Sequence, residues 1–479
     1  MRVIISIFLG LMCHFLQGQT VLETLSEPPK KSDKQKDFYA LVNSNNFETF
    51  FFNKKKTELS VHLFSSGFLL KDSLVISDFN PKLTNIIGGR VDNETQPRLY
   101  FTDEDFSSIY TYAFNLKTKK QDSIARFEIP KNEYVTQIFE HKNGLYLFTI
   151  SKDESWVRVY GFKNNAQPLV QTYSLEGFIV TTATEKELKF KDLIRRSNSL
   201  EFPFTIEHIK PDFQPQLIQV AARRKMYVQD EKIYLSFDYN PEKTSWIVLD
   251  LKEHSVRFHE TNLPKIVSNG DVDSKYNTFL HERFIYTLKK TNDTLKIEII
   301  DFETNEVAKR FVGTPEKIDF SNTELFYNPG NNKPFKLYKG PKPFFKKTRN
   351  SSWGISVFTE NDGISMTVGA VKENPSAALL AADIFLNAVV IAAGSEVDYE
   401  PILMNFSEIE FQSSFFESKL DLNLRHQFGE LEPNAEHKIN FFLSENPKVK
   451  NVFVFKRLSF YVLSYYDDKD EKIYFRKFD

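Results

Sequence analysis

The sequence predicts an all-β fold assembled from one recurring unit of three short strands. Three observations carry that prediction. A strand–turn–strand–turn–strand layout is plainest at 233–259, IYLSFDYNPEKTSWIVLDLKEHSVRFH. Versions of the same layout recur from residue 38 to the end of the chain. The 479 residues are 41% hydrophobic and 15% aromatic with only 17 Gly and 20 Pro, a composition that supports a large packed core and excludes a mainly disordered chain.

Taken in order, the chain begins MRVIISIFLGLMCHFLQGQT. Arg2 supplies a short positive region, Val3 to Met12 a brief apolar one, and Leu16-Gln17-Gly18 a cleavage site before Gln19. Residues 1–18 therefore read as a secretory signal peptide, too short for a stable membrane span. The only cysteine, Cys13, lies inside it, and Gly10-Leu11-Met12 is a poor match to the small-residue box that precedes a lipidated cysteine. The mature chain then has no disulfide, cysteine nucleophile or cysteine-ligated metal, which suits an exported protein of a bacterial envelope: periplasmic, outer-membrane-associated or extracellular. Residues 19–36 are polar and read as a linker, in which Thr20 to Leu25 can add an edge strand.

The repeat occupies 37–479. In 233–259, Ile233, Leu235, Phe237 and Tyr239 alternate with Tyr234, Ser236 and Asp238, the period-2 signature of a strand. Asn240-Pro241-Glu242-Lys243 is turn chemistry, Ser245 to Leu251 a second strand, and Lys252-Glu253-His254 turns into a third. The layout returns at 38–64, 99–128, 145–174 and 284–312, in shortened form at 355–369 around Asn361-Asp362-Gly363, and last at 460–479. In 47–52, FETFFF, aromatics fall on both strand faces, as tight contact with a neighbour on each side requires.

The second turn of the unit is the more distinctive. Asn115-Leu116-Lys117-Thr118-Lys119, Asp250-Leu251-Lys252-Glu253 and Asp301-Phe302-Glu303-Thr304-Asn305 each place an Asn or Asp, then an apolar residue, then a charged tight turn. In this the chain resembles β-propeller repeats, although the WD dipeptide and the kelch glycines are absent. The general character also resembles secreted proteins of the Bacteroidota, a resemblance that implies no particular activity. One such unit has two apolar faces and needs neighbours to cover them, which radial stacking supplies. About seven blades are expected, the last lacking a strand that the N-terminal segment can supply. Tandem β-sandwiches are the alternative.

Two insertions break the rhythm, at about 179–232 and 372–450. In the first, Thr184-Glu185-Lys186-Glu187 fits a helix capping box leading into Leu188 to Arg196. Its basic clusters, Arg195-Arg196 and Arg223-Arg224-Lys225, lack interleaved aromatics and read as solvated surface. The second contains PSAALLAADIFLNAVVIAAG at 375–394, which carries Asp383 and Asn387 and would split the repeat across a membrane if it spanned one. It reads as a buried element of the insertion, with membrane contact as an alternative. At 433–446, Ile439, Phe442 and Leu443 share one face of a short helix, the expected helical insertion near the C-terminus.

The chemistry-bearing residues assemble no recognised motif. There is no Gly-rich phosphate loop, HExxH, GxSxG or CxxC. His254 and His259 differ by five and face opposite sides of one strand. Acidic clusters at first turns (Asp103-Glu104-Asp105, Asp153-Glu154 and 467–471) read as solvated hairpins. Asn269-Gly270-Asp271-Val272-Asp273 is the nearest to a calcium loop and lacks the later glycine and the bidentate Glu. Trp156, Trp246 and Trp353 sit in or beside strands and read as core. No catalytic, cofactor or metal residue is assigned and no cofactor is expected. A formal charge of −2 and a pI near 6.6 give no pull toward nucleic acid. The expected function is non-enzymatic binding or scaffolding of another protein or a glycan. The alternatives are a propeller hydrolase acting on glycans or peptides, and membrane association through 375–394.

Overall fold

The computed structural model describes residues 19–26, 37–93, 96–142, 144–163, 167–198, 206–211, 213–266, 274–330, 335–360, 363–372 and 412–479. Over these residues the chain is an all-β propeller. Seven sheets of four or five strands follow one another along the sequence, at 37–76, 85–128, 133–174, 224–262, 275–313, 326–420 and 450–478, here called the first to the seventh. Within the first, second, third and fifth sheets the strands pair in simple sequential order. The first strand of each sheet, or in the sixth Ser352–Glu360, stands innermost, since it is these strands that meet from sheet to sheet, as Asp37–Val42 does with Asn85–Asn93 and with Lys450–Arg457.

Burial falls from the middle of each sheet outward, for a simple reason. The second strand is covered on both faces by neighbouring sheets, and the fourth looks into solvent. Thr49–Lys54 and Gly144–Ser151 are buried along their whole length, whereas Leu169–Ser174 and Val307–Gly313 are largely exposed. In Thr49–Lys54 the run Phe50-Phe51-Phe52 is fully buried. Phe51 turns one way, 4.7 Å from Phe475 of the seventh sheet, and Phe52 the other, 5.9 Å from Phe114 of the second. Each such ring contributes about 2 kcal/mol by burial alone.

The second turn holds its form through its acidic or amide residue. Asp250 Oδ1 accepts from the backbone N–H of Lys252 (3.0 Å) and of Glu253 (2.8 Å), Asp301 Oδ1 from Glu303 and Thr304 (both 3.1 Å), and Asn115 Oδ1 from Thr118 (3.0 Å). Leu116, Leu251 and Phe302 are buried as pegs, and the turns close in the left-handed region at Lys119, His254 and Asn305. These hydrogen bonds are the main reason why the Asp301 carboxyl is held below its ordinary range.

Two sheets obtain their fourth strand from elsewhere in the chain. Gln19–Ser26 pairs antiparallel with Lys472–Phe478 and completes the seventh sheet. In the sixth, Phe326–Asn328 pairs with Ser413–Leu420, although Ser352–Glu360 and Gly363–Val371, the inner two strands, lie between them in sequence. Arg457 ties the seventh sheet to the first: its guanidinium donates to the carbonyls of Phe47 (2.8 Å), Ser65 (3.2 Å) and Ser66, and stands 5.3 Å from the Phe68 ring.

Three local expectations change. Thr184-Glu185-Lys186-Glu187 caps no helix; it turns the hairpin between Ile179–Thr181 and Glu187–Lys189. Buried Val180 and Leu188 draw the segment into that hairpin, and helix α1, Phe190–Asn198, starts later. The insertions are also narrower than expected, because Arg224–Gln229 is the antiparallel partner of Lys232–Phe237 and Ser413–Leu420 that of Gly363–Val371. Lys225, read as solvated, is fully buried. The remaining helices are α2 (Leu217–Val220), α3 (Pro341–Lys347) and α4 (Ala435–Glu445). Asn434 caps α4 by accepting from His437 N–H at 3.0 Å, and Ile439 and Phe442 are buried against the seventh sheet. The signal segment 1–18 with Cys13, residues 27–36, the side chains of Arg195 and Arg196, the 269–273 loop and the apolar stretch 375–394 lie outside the described residues.

Candidate functional site at the ring axis

Propellers present two features to ligands, the loops at the ring ends and the axis where the inner strands converge. Here the chain itself occupies part of that axis. Glu207–Ile209 pairs in parallel with Arg224–Gln229, on the side away from the outer strands of the fourth sheet. From there, residues 206–211 and 213–222 reach three other sheets. Gln137 of the third sheet donates to the Ile206 carbonyl at 2.5 Å, and the Phe139 and His208 rings stand 5.6 Å apart. Toward the sixth, Ser356 Oγ donates to the Pro215 carbonyl (2.5 Å) and Gln214 Nε2 to Thr367 Oγ1 (2.9 Å). Toward the seventh, the Phe213 ring is 5.5 Å from Tyr461, and Asn434 Nδ2 donates to Gln214 Oε1 at 2.9 Å.

α2 lies directly on the inner strands of the sixth sheet. The close approach requires Gly354, since a Cβ there would stand 2.8 Å from Val220 Cγ2 and 3.0 Å from the Ala221 nitrogen. α2 starts with a capping box in which Gln216 N–H donates to Gln219 Oε1 at 3.1 Å, and Leu217 and Val220 are buried.

The titratable groups at the axis are engaged by this framework. Glu207 Oε1 accepts from Gln219 Nε2 at 3.1 Å. Burial is the main cause that lifts its carboxyl to about 7, against the weaker pull of Gln219, Lys210 and Lys225. Burial, then Lys210, pushes the adjacent His208 imidazole down to about 3, so it is neutral across the physiological range. Glu140, near the end of the third sheet's inner strand, accepts through Oε1 from the Gly89 N–H (2.6 Å) and from the Tyr39 hydroxyl. One carboxylate thus joins the inner strands of three consecutive sheets. A Cβ at Gly88 would stand 2.5 Å from Leu145 Cδ1 and 2.9 Å from Glu140 Oε1, which is why that strand is bare here. Burial first, then Glu140, raises the Tyr39 phenol well above its ordinary value.

Other buried charges hold sheets together. Lys225 and Asp238 pair at 2.8 Å with both side chains fully buried. Lys225 also donates to the Ala222 carbonyl (2.6 Å), and Asp238 accepts from Thr244 Oγ1 (2.6 Å) and, across to the fifth sheet, from Thr278 Oγ1 (2.9 Å) and N–H (3.2 Å). Burial lowers the Lys225 ammonium, with Asp238 opposing. In the third sheet Glu133 accepts from the Tyr160 hydroxyl (2.9 Å to each oxygen), Thr149 and Arg158. Burial followed by Glu133 raises the Tyr160 phenol to about 12. A buried pair satisfied on every side is structural before it is catalytic.

The residues singled out from sequence lie apart from the axis. His254 closes a turn, its ring 5.2 Å from Tyr173, while His259 stands 4.8 Å from Phe302. Asp103 caps its own turn through Ser107 N–H at 2.7 Å. Trp246 and Trp353 are buried, and Trp156 is half-buried under the Arg158 guanidinium at 4.2 Å. Among the described residues no three His, Asp or Glu side chains gather closely enough to hold a metal ion, and no helix is long and apolar enough to cross a membrane. Nothing local marks Glu207, His208, Glu140 and Tyr39: Glu207 meets Gln219 of α2, and the other three meet residues of other sheets.

No family model matches the chain, and no curated protein matches it. Solved structures similar in fold include the β-propeller domain of Nup133 from Vanderwaltozyma polyspora, 8% identical over 80% of this chain and 83% of that one, TM-score 0.25. A putative exported protein of Bacteroides fragilis is 10% identical over 84% of this chain and 95% of that one, TM-score 0.25. Prolyl oligopeptidase B from Galerina marginata is 10% identical over 91% of this chain, TM-score 0.33, and the chain spans 48% of its length. The architecture rests on the sheet order itself, and these likenesses carry no argument about activity.

Proposed function

We propose that this propeller is an exported binding or scaffolding protein of a bacterial envelope that engages a protein or glycan partner through the loops of its ring rather than through its axis. The observation that carries this reading is the course of residues 206–211 and 213–222. They cross between four sheets where a propeller hydrolase would gather its catalytic carboxylates from several blades. The export assignment rests on the residues of segment 1–18.

A second reading, a hydrolase acting on peptides or glycans, is favoured by Glu207, whose carboxyl stands near 7 and so matches the requirement of a general acid at neutral pH. One experiment separates the two. The purified chain, its Glu207→Gln variant and its Glu140→Gln variant are assayed on fluorogenic peptide and glycoside panels between pH 5 and 9. The binding reading expects no turnover above the heat-denatured chain. Turnover by the wild type that either variant abolishes establishes the hydrolase instead.

A further inference from the structure

The outer edge of the sixth sheet is the two-residue strand Lys336–Leu337, and among the described residues no strand pairs with its far side. On its near side Leu337 stands opposite Phe326, and Lys336 opposite Tyr327. The next residue, Tyr338, donates its N–H to the Leu325 carbonyl at 2.9 Å. Successive residues of an antiparallel strand turn their main-chain groups to alternate sides, so the N–H and C=O of Leu337 point away from the sheet.

The two faces of this edge differ in kind. One is apolar: the Phe335 ring lies 6.3 Å from Phe326 and 5.9 Å from Phe415, and Leu337 stands on the same side. Phe335 and Leu337 are 51% and 60% exposed. The opposite face is cationic. There Lys336 neighbours Tyr327, whose ring carries the Lys347 ammonium at 5.4 Å. Tyr338 shares that face, its ring 5.7 Å from Phe344 of α3 and its hydroxyl 2.8 Å from Ser414 Oγ. Lys336, Lys339, Lys342, Lys346, Lys347 and Arg349 are all exposed, and no acidic residue lies between Glu324 and Glu360. Among the described residues none of the six has an acidic partner. Cations on other outer strands do have one, as Lys71 with Glu48, Arg257 with Glu303 (2.7 Å) and Arg310 with Glu298 (2.8 Å).

We propose that this edge takes up an extended peptide whose side chains alternate between acidic and apolar, added to the sixth sheet as a further strand. Successive side chains of a strand point to opposite faces. Such a peptide sets its carboxylates against Lys336 and Lys347 and its apolar groups beside Phe335 and Leu337, while its backbone bonds to that of Leu337. A polyanionic glycan satisfies the cations but offers no strand to Leu337 and nothing to the apolar face. A purely apolar partner leaves the lysines of the other face unmet. Only a strand reaches both faces of a sheet edge at once. The edge lies on the outer rim, apart from the axis and from the loops at the ring ends, so this inference stands independently of the reading above.

The test is fluorescence anisotropy of the full chain with a labelled seven-residue peptide of alternating Glu and Val. Saturable binding that weakens as salt is raised is expected. A peptide of the same composition with Glu and Val in separate blocks should not bind. Nor should the alternating peptide N-methylated at every second residue, which removes the main-chain donors of one side. Leu337→Pro should abolish binding, because it takes away the outward N–H and none of the bonds to Phe326–Asn328, a placement that sheet edges tolerate. Lys336→Ser with Lys347→Ser should weaken binding by about 10-fold, the combined effect of two exposed ion pairs. That variant leaves the backbone untouched, and an unchanged unfolding midpoint confirms that each variant is folded. Equal binding of the blocked or the N-methylated peptide would reduce the contact to charge alone and overturns the proposal. So does wild-type affinity in Leu337→Pro or in the lysine variant, or no binding of the alternating peptide. Retention on a sulfated polysaccharide without peptide binding would assign the cations to a glycan and overturns it too.

Discussion

The seam between the first and seventh sheets and the segment crossing the axis join parts of the chain far apart in sequence, yet by opposite means. At the seam, Phe51, Phe64 and Phe68 meet Phe475 with ring centroids 4.7–5.3 Å apart. Arg457, the one prominent polar tie there, bonds to backbone carbonyls alone. At the axis, residues 206–211 and 213–222 are held mostly by side-chain amides and hydroxyls and by Gly354, which lets backbone approach backbone. Apolar burial is non-directional and tolerates small shifts, so it suits closure of a ring. Hydrogen bonds demand fixed geometry, so they suit the placement of one segment in one register. The seam should therefore govern global stability, and the axis local order.

The largest effect expected from this contrast is at the seam. Phe51→Ala should cost about 3–5 kcal/mol, as deletion of a fully buried ring does, read as a lowered midpoint in urea unfolding. A cost near 1 kcal/mol would mean that the ring closes by its polar ties instead. Arg457→Met, which keeps the packing against Phe68 and removes the bonds to three carbonyls, should cost about 2 kcal/mol in the same assay. At the axis, Gly354→Val forces a side chain against Val220, and overpacking of that kind costs about 1–3 kcal/mol. Its signature is local: hydrogen exchange should quicken over 206–222 and stay unchanged in Thr49–Lys54. Equal loss in both regions would merge axis and seam into one cooperative unit.

The smallest effect is a dependence on pH. Glu207 keeps its proton up to about 7 in the folded chain and loses it near 4.5 when unfolded, so its contribution is present below 4.5 and is lost as pH rises to 7. His208 works in the opposite sense: it stays neutral to about 3 when folded, so its contribution is present above 6.5 and is lost as pH falls. The two slopes nearly cancel between 4.5 and 6.5 in the wild type. Glu207→Gln should expose the His208 slope, with stability rising from pH 4.5 to 6.5, and His208→Gln should expose a fall. Unfolding midpoints across that range check both signs, and flat profiles for both variants would place these groups in water.

The seam was legible in the sequence and the axis was not. FETFFF, with aromatics on both faces, announces a strand covered from two sides, and Phe51 and Phe52 do turn to different neighbours. The Asn or Asp of each second turn announces its own hydrogen bonds two or three residues on. The inner strands were harder to read: the unit seen at 99–128, 145–174 and 284–312 begins one strand too late in each sheet. An inner strand such as Glu133–His141 alternates poorly because part of it faces the axis and its polar partners. Thr184–Glu187 misled because the same four residues fit a helix cap and a hairpin turn, and only the burial of Val180 and Leu188 decides between them.

By itself the sequence determined what depends on near neighbours: the strands, their turns, and the need of each unit for a cover on both faces. These follow from alternation and turn chemistry within a few residues. The missing strand of the last unit is expected from the N-terminal segment, and Gln19–Ser26 supplies it. Only the tertiary structure decided that Phe326–Asn328 lies outside strands that follow it, and that Glu207 and His208 stand at the axis. Those arrangements depend on which groups meet across the ring, and a side chain carries no local mark of a partner on another sheet.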